Sequence, residues 1–218
     1  GQVTFDEGLA VTYAGRPVPL KTLSLVSVDQ ELAEYLERGR VLTYEGDYVS
    51  AAEIFQSLLL RRDSGFVADP VDPNNFRALH DGVNAAIAEM GDEGLAVYRR
   101  LNDARARSLY DLAVSETDET SLRQLAIQYR HTAVGPDAIE SLAQYVFDRG
   151  RYAEASHWWR QRLETETDER GRAKTLARLA VAQHLAGQTQ DARSARVLLA
   201  SLPESVADAW PQAHVDAV

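Results

Sequence analysis

The chain has 218 residues, 45% of them hydrophobic and 26% charged. That balance gives one sizeable domain or two small ones with a buried core, and it excludes a disordered chain. The 23 basic and 33 acidic residues leave a net charge of −10, which repels phosphate backbones and anionic lipid, so nucleic acid is not an expected partner. No apolar run approaches the ~18 residues of a membrane span. Without cysteine, disulfides, thiolate nucleophiles, iron–sulfur clusters and cysteine-type zinc sites are excluded.

The sequence begins at Gly1 and its only methionine is Met90, so Gly1 reads as the remnant of a cleaved tag and the chain as a fragment of a longer protein. Residues 1–28 are rich in Val, Thr, Leu and Gly, carry Pro17 and Pro19, and lack a 3.6-residue period. They predict an extended lead-in with short strands. From residue 29 the pattern becomes helical. Ser27 or Asp29 caps a helix whose face holds Leu32, Tyr35, Leu36, Gly39 and Leu42. Gly46 and Asp47 end it, and Ala51, Ala52, Phe55, Leu58 and Leu59 form a second stripe, which together predict a helical hairpin over 29–62.

Residues 62–75, with Gly65, Pro70 and Pro73, have the composition of a loop. Irregular helices are predicted over 76–130: at about 76–90, 93–101 and 103–115, broken at Gly91 and at Asn102-Asp103, and then from 117–121 to about Arg130. Gly135-Pro136-Asp137 breaks the chain before the next helix.

Self-similarity is the strongest signal. In 138–164, Leu142, Ala143, Val146, Gly150, Tyr152, Ala155 and Trp159 repeat the offsets of Arg38, Gly39, Leu42, Gly46, Tyr48, Ala51 and Phe55. In 174–202, Leu179, Ala180, Gln183, Gly187, Thr189, Ala192 and Arg196 do so again. The step from Gly150 to Gly187 is 37 residues, near the ~34 of a tetratricopeptide repeat. The three hairpins resemble tetratricopeptide repeats in the small residue of the first helix (Gly39, Ala143, Ala180), the turn glycine, and the small residue opening the second helix (Ala51, Ala155, Ala192). Small side chains there let the paired helices approach closely. Gln183 and Arg196 depart from the pattern and imply a capping repeat with a wetter outer face.

The resemblance implies an all-α fold, an α-α superhelix (a tetratricopeptide-like solenoid) over 29–218 behind the extended N-terminal segment. A narrower likeness covers most of the chain. The order of EGDYVSAAEIFQSLL, a Pro-rich loop, DEGLAVYRRLNDARARSLYDLAV and LRQLAIQYRHTAVGPDAIESLAQYVFDRGRYAEASHWW is similar to the N-terminal helical region of exported bacterial proteins that carry a PQQ-like (quinoprotein-like) β-propeller. It implies an exported protein of the periplasm or cell envelope, with a β-propeller partner domain after Val218.

Catalytic signatures are absent from the sequence. None of the five histidines (80, 131, 157, 184 and 214) pairs with another at i, i+3 or i+4, and HExxH, GxSxG, GxGxxG and GxxxxGK[ST] do not occur. Glu164, Glu166, Asp168 and Glu169 fall at an interhelix turn, where carboxylates stabilise the next helix N-terminus; this outweighs calcium binding. The arginines at 99, 100, 105, 107, 160, 162, 170 and 172 read as partners of neighbouring carboxylates more than as a polyanion site. Trp159 takes the position that fills the interhelical groove. Trp158 points about 100° away, either exposed, where it would anchor a partner, or covered by the next repeat.

In tetratricopeptide arrays the first helices line the concave face. By that resemblance the partner groove holds Arg40, Thr43, Tyr44, Gln144, Phe147, Asp148 and His184. The Lys, Arg and Asn set that clamps peptide C-termini in the family is missing. The expectation is a non-enzymatic protein–protein interaction or scaffolding module, without cofactor or metal, that takes a protein or peptide as partner. The alternative is an accessory or small-ligand-binding domain of a quinoprotein-type β-propeller enzyme, which would need convergent polar groups between repeats.

Overall fold

A computed structural model describes residues 3–5, 11–13, 16–18, 30–61, 65–68 and 76–203. Helices dominate them: nine helices and five three-residue strands occur among the described residues. The all-α expectation holds. The chain divides into two compact units, Gly1–Glu89 and Met90–Val218.

In the first unit, β1 (Val3–Phe5), β2 (Val11–Tyr13) and β3 (Arg16–Val18) form an antiparallel sheet in that order, with Val3 opposite Tyr13 and Val11 opposite Val18. The predicted lead-in thus contains short strands. Helix α1 (Gln30–Glu45) and helix α2 (Tyr48–Leu59) make the first hairpin; the caps expected from Ser27 or Asp29 lie outside the described residues. Leu32, Leu36 and Gly39 are buried on α1, whereas Tyr35 is exposed. Ala51, Ala52, Phe55, Leu58 and Leu59 are all buried on α2.

The predicted 62–75 loop is corrected in part. Phe66–Ala68 (β4) pairs antiparallel with Phe76–Ala78 (β5), and the Leu79 N–H donates to the Gly65 carbonyl at 2.9 Å. Helix α3 (Leu79–Ala88) therefore starts after a strand and not at residue 76. It packs against α2 and β4, where a Cβ at Gly82 would lie 3.0 Å from Val67 Cγ2.

The second unit is helical throughout its described residues. Helix α4 (Gly91–Glu116) is followed by α5 (Glu119–Gln128), α6 (Gly135–Phe147), α7 (Tyr152–Thr165), α8 (Glu169–Leu185) and α9 (Thr189–Ala200). Each packs on its chain neighbours, and α4 also touches α6. The expected break at Asn102-Asp103 does not occur. Buried Asn102 turns its amide back to the Tyr98 carbonyl at 2.9 Å, and Asp103 accepts from the Ala133 N–H at 2.9 Å. Both polar side chains are satisfied without interrupting the helix.

One turn recurs. At Gly46, Gly150 and Gly187 the backbone is left-handed (φ 81°, 75° and 76°), as the repeat reading requires. The same turn also closes α4 at Thr117 (φ 54°). In all four, the residue after the turn donates its N–H to the carbonyl five back: Asp47 to Leu42, Asp118 to Ala113, Arg151 to Val146 and Gln188 to Gln183, at 2.8–3.0 Å. The region expected to be irregular thus contains a further hairpin, α4–α5, before α6–α7 and α8–α9.

Candidate interaction surface

The expected groove residues fall in both units. On α1, Arg40 stands 3.9 Å from the Glu89 carboxylate, Thr43 donates its hydroxyl to the Gly39 carbonyl at 3.0 Å, and Tyr44 is 94% exposed. An open hollow of about 620 Å³ lies farther back along the same helix. Glu31, Glu34, Tyr35, Arg38 and Arg61 line it with Leu32.

At the end of α6, the i, i+3 and i+4 spacing of Gln144, Phe147 and Asp148 sets them on neighbouring turns of one face, just before the turn at Gly150. Gln144 Nε2 donates to Asp148 Oδ1 at 2.7 Å, and Asp148 is exposed. Phe147 is half-buried, its ring centroid 5.2 Å from Tyr152 and 5.4 Å from Trp159, so it belongs partly to the core. His184 is exposed in the last turn of α8. Sequence reasoning missed the matching positions of the α4–α5 hairpin, Asp111, Val114 and Ser115. They stand as far before Thr117 as Gln144, Phe147 and Asp148 stand before Gly150, and all three are exposed. With threonine in place of glycine at the turn, no sequence signal marked them.

Trp158 is not an exposed anchor. It is 4% exposed, stacked edge-on by His157 and approached by the Arg123 guanidinium, and its indole N–H points to Glu154 Oε1 at 3.4 Å. Trp159 is 1% exposed, as its position in the repeat predicts, and its Nε1 donates to Glu140 Oε2 at 3.1 Å. Glu140 also meets Arg178, and Lys174 at 3.9 Å. Gln183 does not form the wetter outer face expected of it: it is buried, and its Oε1 has no hydrogen-bond partner among the described residues. Arg196 is half-buried.

Charge is mostly neutralised locally. Glu119 accepts from Arg123 and Arg151, which also meet Glu154. Those two guanidiniums, Arg151 first, hold the Glu119 carboxyl below its ordinary range. Asp47 and Asp118 cap α2 and α5, and the Ser50 and Ser121 bonds lower their carboxyls likewise. In the acidic run, Glu164 pairs with Arg130 and Glu166 with Arg162, while Asp168 accepts from the Gly171 N–H at 2.8 Å. Asp168 is therefore the helix cap that was read there. Arg99 donates to the His131 carbonyl at 3.1 Å, and Arg160 lies 4.0 Å from Asp191. Arg100, Arg105, Arg107 and Arg170 have no carboxylate partner among the described residues, which departs from the expected pairing.

Among the described residues, no group of three or more His, Asp or Glu side chains is arranged to hold a metal ion, and no helix is long and apolar enough to cross a membrane. Comparison of the chain with protein families, curated proteins and solved structures finds no match.

Proposed function

We propose that the chain is a tetratricopeptide-like helical-repeat module, a non-enzymatic scaffold that binds protein or peptide segments on the face made by the first helices of its hairpins. The observation that carries this reading is the recurrent turn. Within the second unit it falls at Thr117, Gly150 and Gly187, 33 and 37 residues apart. Side-chain contacts between successive hairpins lie near the same period, such as 31 residues (Arg123 to Glu154) and 34 (Arg130 to Glu164). A hairpin of this kind buries its faces only against its neighbours, so α4–α5, α6–α7 and α8–α9 would wind into a short superhelical solenoid.

Asp111, Val114, Gln144, Asp148 and His184 then form the partner surface of the second unit, with Arg40 and Tyr44 the matching residues of the first. By its likeness to exported bacterial proteins, the module works beside a PQQ-like β-propeller in the periplasm or cell envelope and uses no cofactor. A photo-crosslinking amino acid at Gln144 in the full chain tests this, with His157, exposed on the second helix of the same hairpin, as the control. A discrete protein adduct at Gln144 alone supports the reading. Equal labelling at both positions, or saturable turnover of a small substrate, overturns it.

A further inference from the structure

Most carboxylates among the described residues of the second unit have a cation, a backbone N–H or a helix N-terminus to themselves. Asp92, Glu93, Asp137 and Glu169 stand in first turns, where the helix dipole favours negative charge, and Asp118 and Asp168 are caps. Asp103 accepts from the Ala133 N–H, and Glu119, Glu140, Glu154, Glu164, Glu166 and Asp191 meet cations. Asp111, Glu116 and Asp148 are left over. All three are exposed. They stand in the last two turns of α4 or at the end of α6, where the dipole disfavours negative charge, and neither helix has a basic residue in its last turn. The cations next to them in the chain turn elsewhere, Arg107 over the Tyr110 ring at 5.9 Å and Arg149 over the Tyr145 ring at 3.4 Å.

Apolar side chains share the same register. Val114 and Leu185 are each 47% exposed, and Phe147 is half-buried. Val114 and Phe147 stand three residues before their turns, and Asp148 and Leu185 two. The helices that bear them lie side by side. Tyr110 Oη on α4 meets Ser141 Oγ on α6 at 3.0 Å, and Lys174 on α8 is 3.9 Å from the Glu140 carboxylate on α6. The leftover carboxylates are thus confined to α4 and α6, while α8 offers Leu185 and half-buried Val181 beside Phe147. Packed helix axes are about 8–10 Å apart and an extended chain advances about 3.3 Å per residue, so a segment crossing from one helix to the next spans about three residues.

We propose that this face takes a segment of another protein that carries Lys or Arg about three residues from a large apolar side chain. The cations lie against Asp111 and Asp148, and the apolar group against Phe147 and Leu185. The proposal rests on the stacked-hairpin reading above and adds the chemistry of the partner. Charge complementarity carries it: a cationic segment supplies the neutralisation that the other carboxylates of the unit find within the fold, whereas an acidic one adds to the repulsion. Carboxylates kept where the helix disfavours them are the kind of local cost that a binding surface bears.

Fluorescence anisotropy of labelled peptides with the full chain tests it. The probe is a Gly/Ser peptide of about twelve residues that carries a Lys-Lys pair and a Leu at that spacing; one reference probe has Glu in place of both Lys, another has Ser in place of Leu. The expected result is saturable binding of the first, weaker by about tenfold or more for either reference and weakened by salt. Asp111→Asn with Asp148→Asn, and separately Leu185→Ser, should weaken it by about as much. Asp92→Asn with Glu169→Gln removes the same charge from other places and should change it less than about twofold. The first pair should leave the melting midpoint no lower, since amides replace charges that the dipole disfavours. A lowered midpoint assigns those carboxylates to the fold and overturns the proposal. Absence of binding, equal binding of the Leu and Ser probes, or equal loss in both charge variants also overturns it, the last two by reducing the face to a general attraction of an acidic chain for cations. The crosslink at Gln144 reports separately on the groove, so an adduct there without these peptide effects removes the partner chemistry alone.

Discussion

Gly39 lies against the ring of Phe55, so closely that a Cβ on the glycine would strike Phe55 Cε1. Phe55 is fully buried between α1 and α2, and its ring has no free direction in which to retreat. Alanine at 39 gains about 1 kcal/mol of helix propensity but overpacks the contact at a cost of about 1–3 kcal/mol. Gly39→Ala is expected to destabilise the first unit in urea unfolding, and Phe55→Leu in the same chain to recover part of the loss. A stabilised Gly39→Ala variant would show that the two helices are not held at that distance.

Thr117 is a β-branched residue in left-handed backbone, where glycine stands at Gly46, Gly150 and Gly187. The conformation costs roughly 1–2 kcal/mol for a side-chain-bearing residue. Thr117→Gly should therefore raise the melting midpoint, and Gly150→Ala should lower it by a similar free energy. Opposite signs at two sites of one turn geometry are the diagnostic outcome, and equal signs would remove the equivalence of the turns.

Those two turns also mark where the fold was legible. Gly150 and Gly187 could be read because glycine is the residue that enters left-handed backbone without strain. Thr117 could not, since the turn there is imposed by the packing of α4 on α5 against local preference. The small-residue pattern fails at the same hairpin: Tyr110 occupies the place of Gly39 and Ala143, and Ala126 the place of Phe55 and Trp159. Bulk has changed sides between the two helices, and the Tyr110 hydroxyl is satisfied by Ser141 Oγ at 3.0 Å across to the next hairpin. For the partner surface, sequence placed Gln144, Phe147 and Asp148 in adjacent turns of one helix. It could not tell that Trp158 is roofed, because the roof comes from Arg123 on α5.

The α5–α7 charge network predicts an acid-sensitive step in stability. Glu119 titrates lower in the folded chain than in the unfolded one, held by Arg151 and Arg123. A lowered folded value means that its stabilisation is complete above the unfolded carboxyl range and disappears as pH falls through the folded value. Stability should therefore decline as pH falls below the ordinary carboxylate range, and Glu119→Gln should flatten that decline. The group is partly solvated, so the effect is expected to stay below about 1 kcal/mol and to shrink in salt. An unchanged pH profile in the Gln variant would place the acid sensitivity elsewhere.

Trp158 and Trp159 give the sharpest test of which surface is interior. Both are buried, but by different neighbours: Trp159 by its own hairpin through Phe147 and Glu140, Trp158 through Arg123 of the preceding one. Removing either ring leaves a cavity, and each alanine variant should lose about 3–5 kcal/mol. A surface anchor would behave differently, since truncating an exposed ring usually changes stability by no more than about 0.5 kcal/mol. The variants should also separate in their coupling. Trp158→Ala should be non-additive with Arg123→Ala, because the guanidinium and the Glu154 carboxylate share that ring, whereas Trp159→Ala should be non-additive with Glu140→Gln. Urea unfolding of the two double-mutant cycles measures both, and a Trp158 that couples to nothing on α5 would leave the α5–α7 packing unsupported.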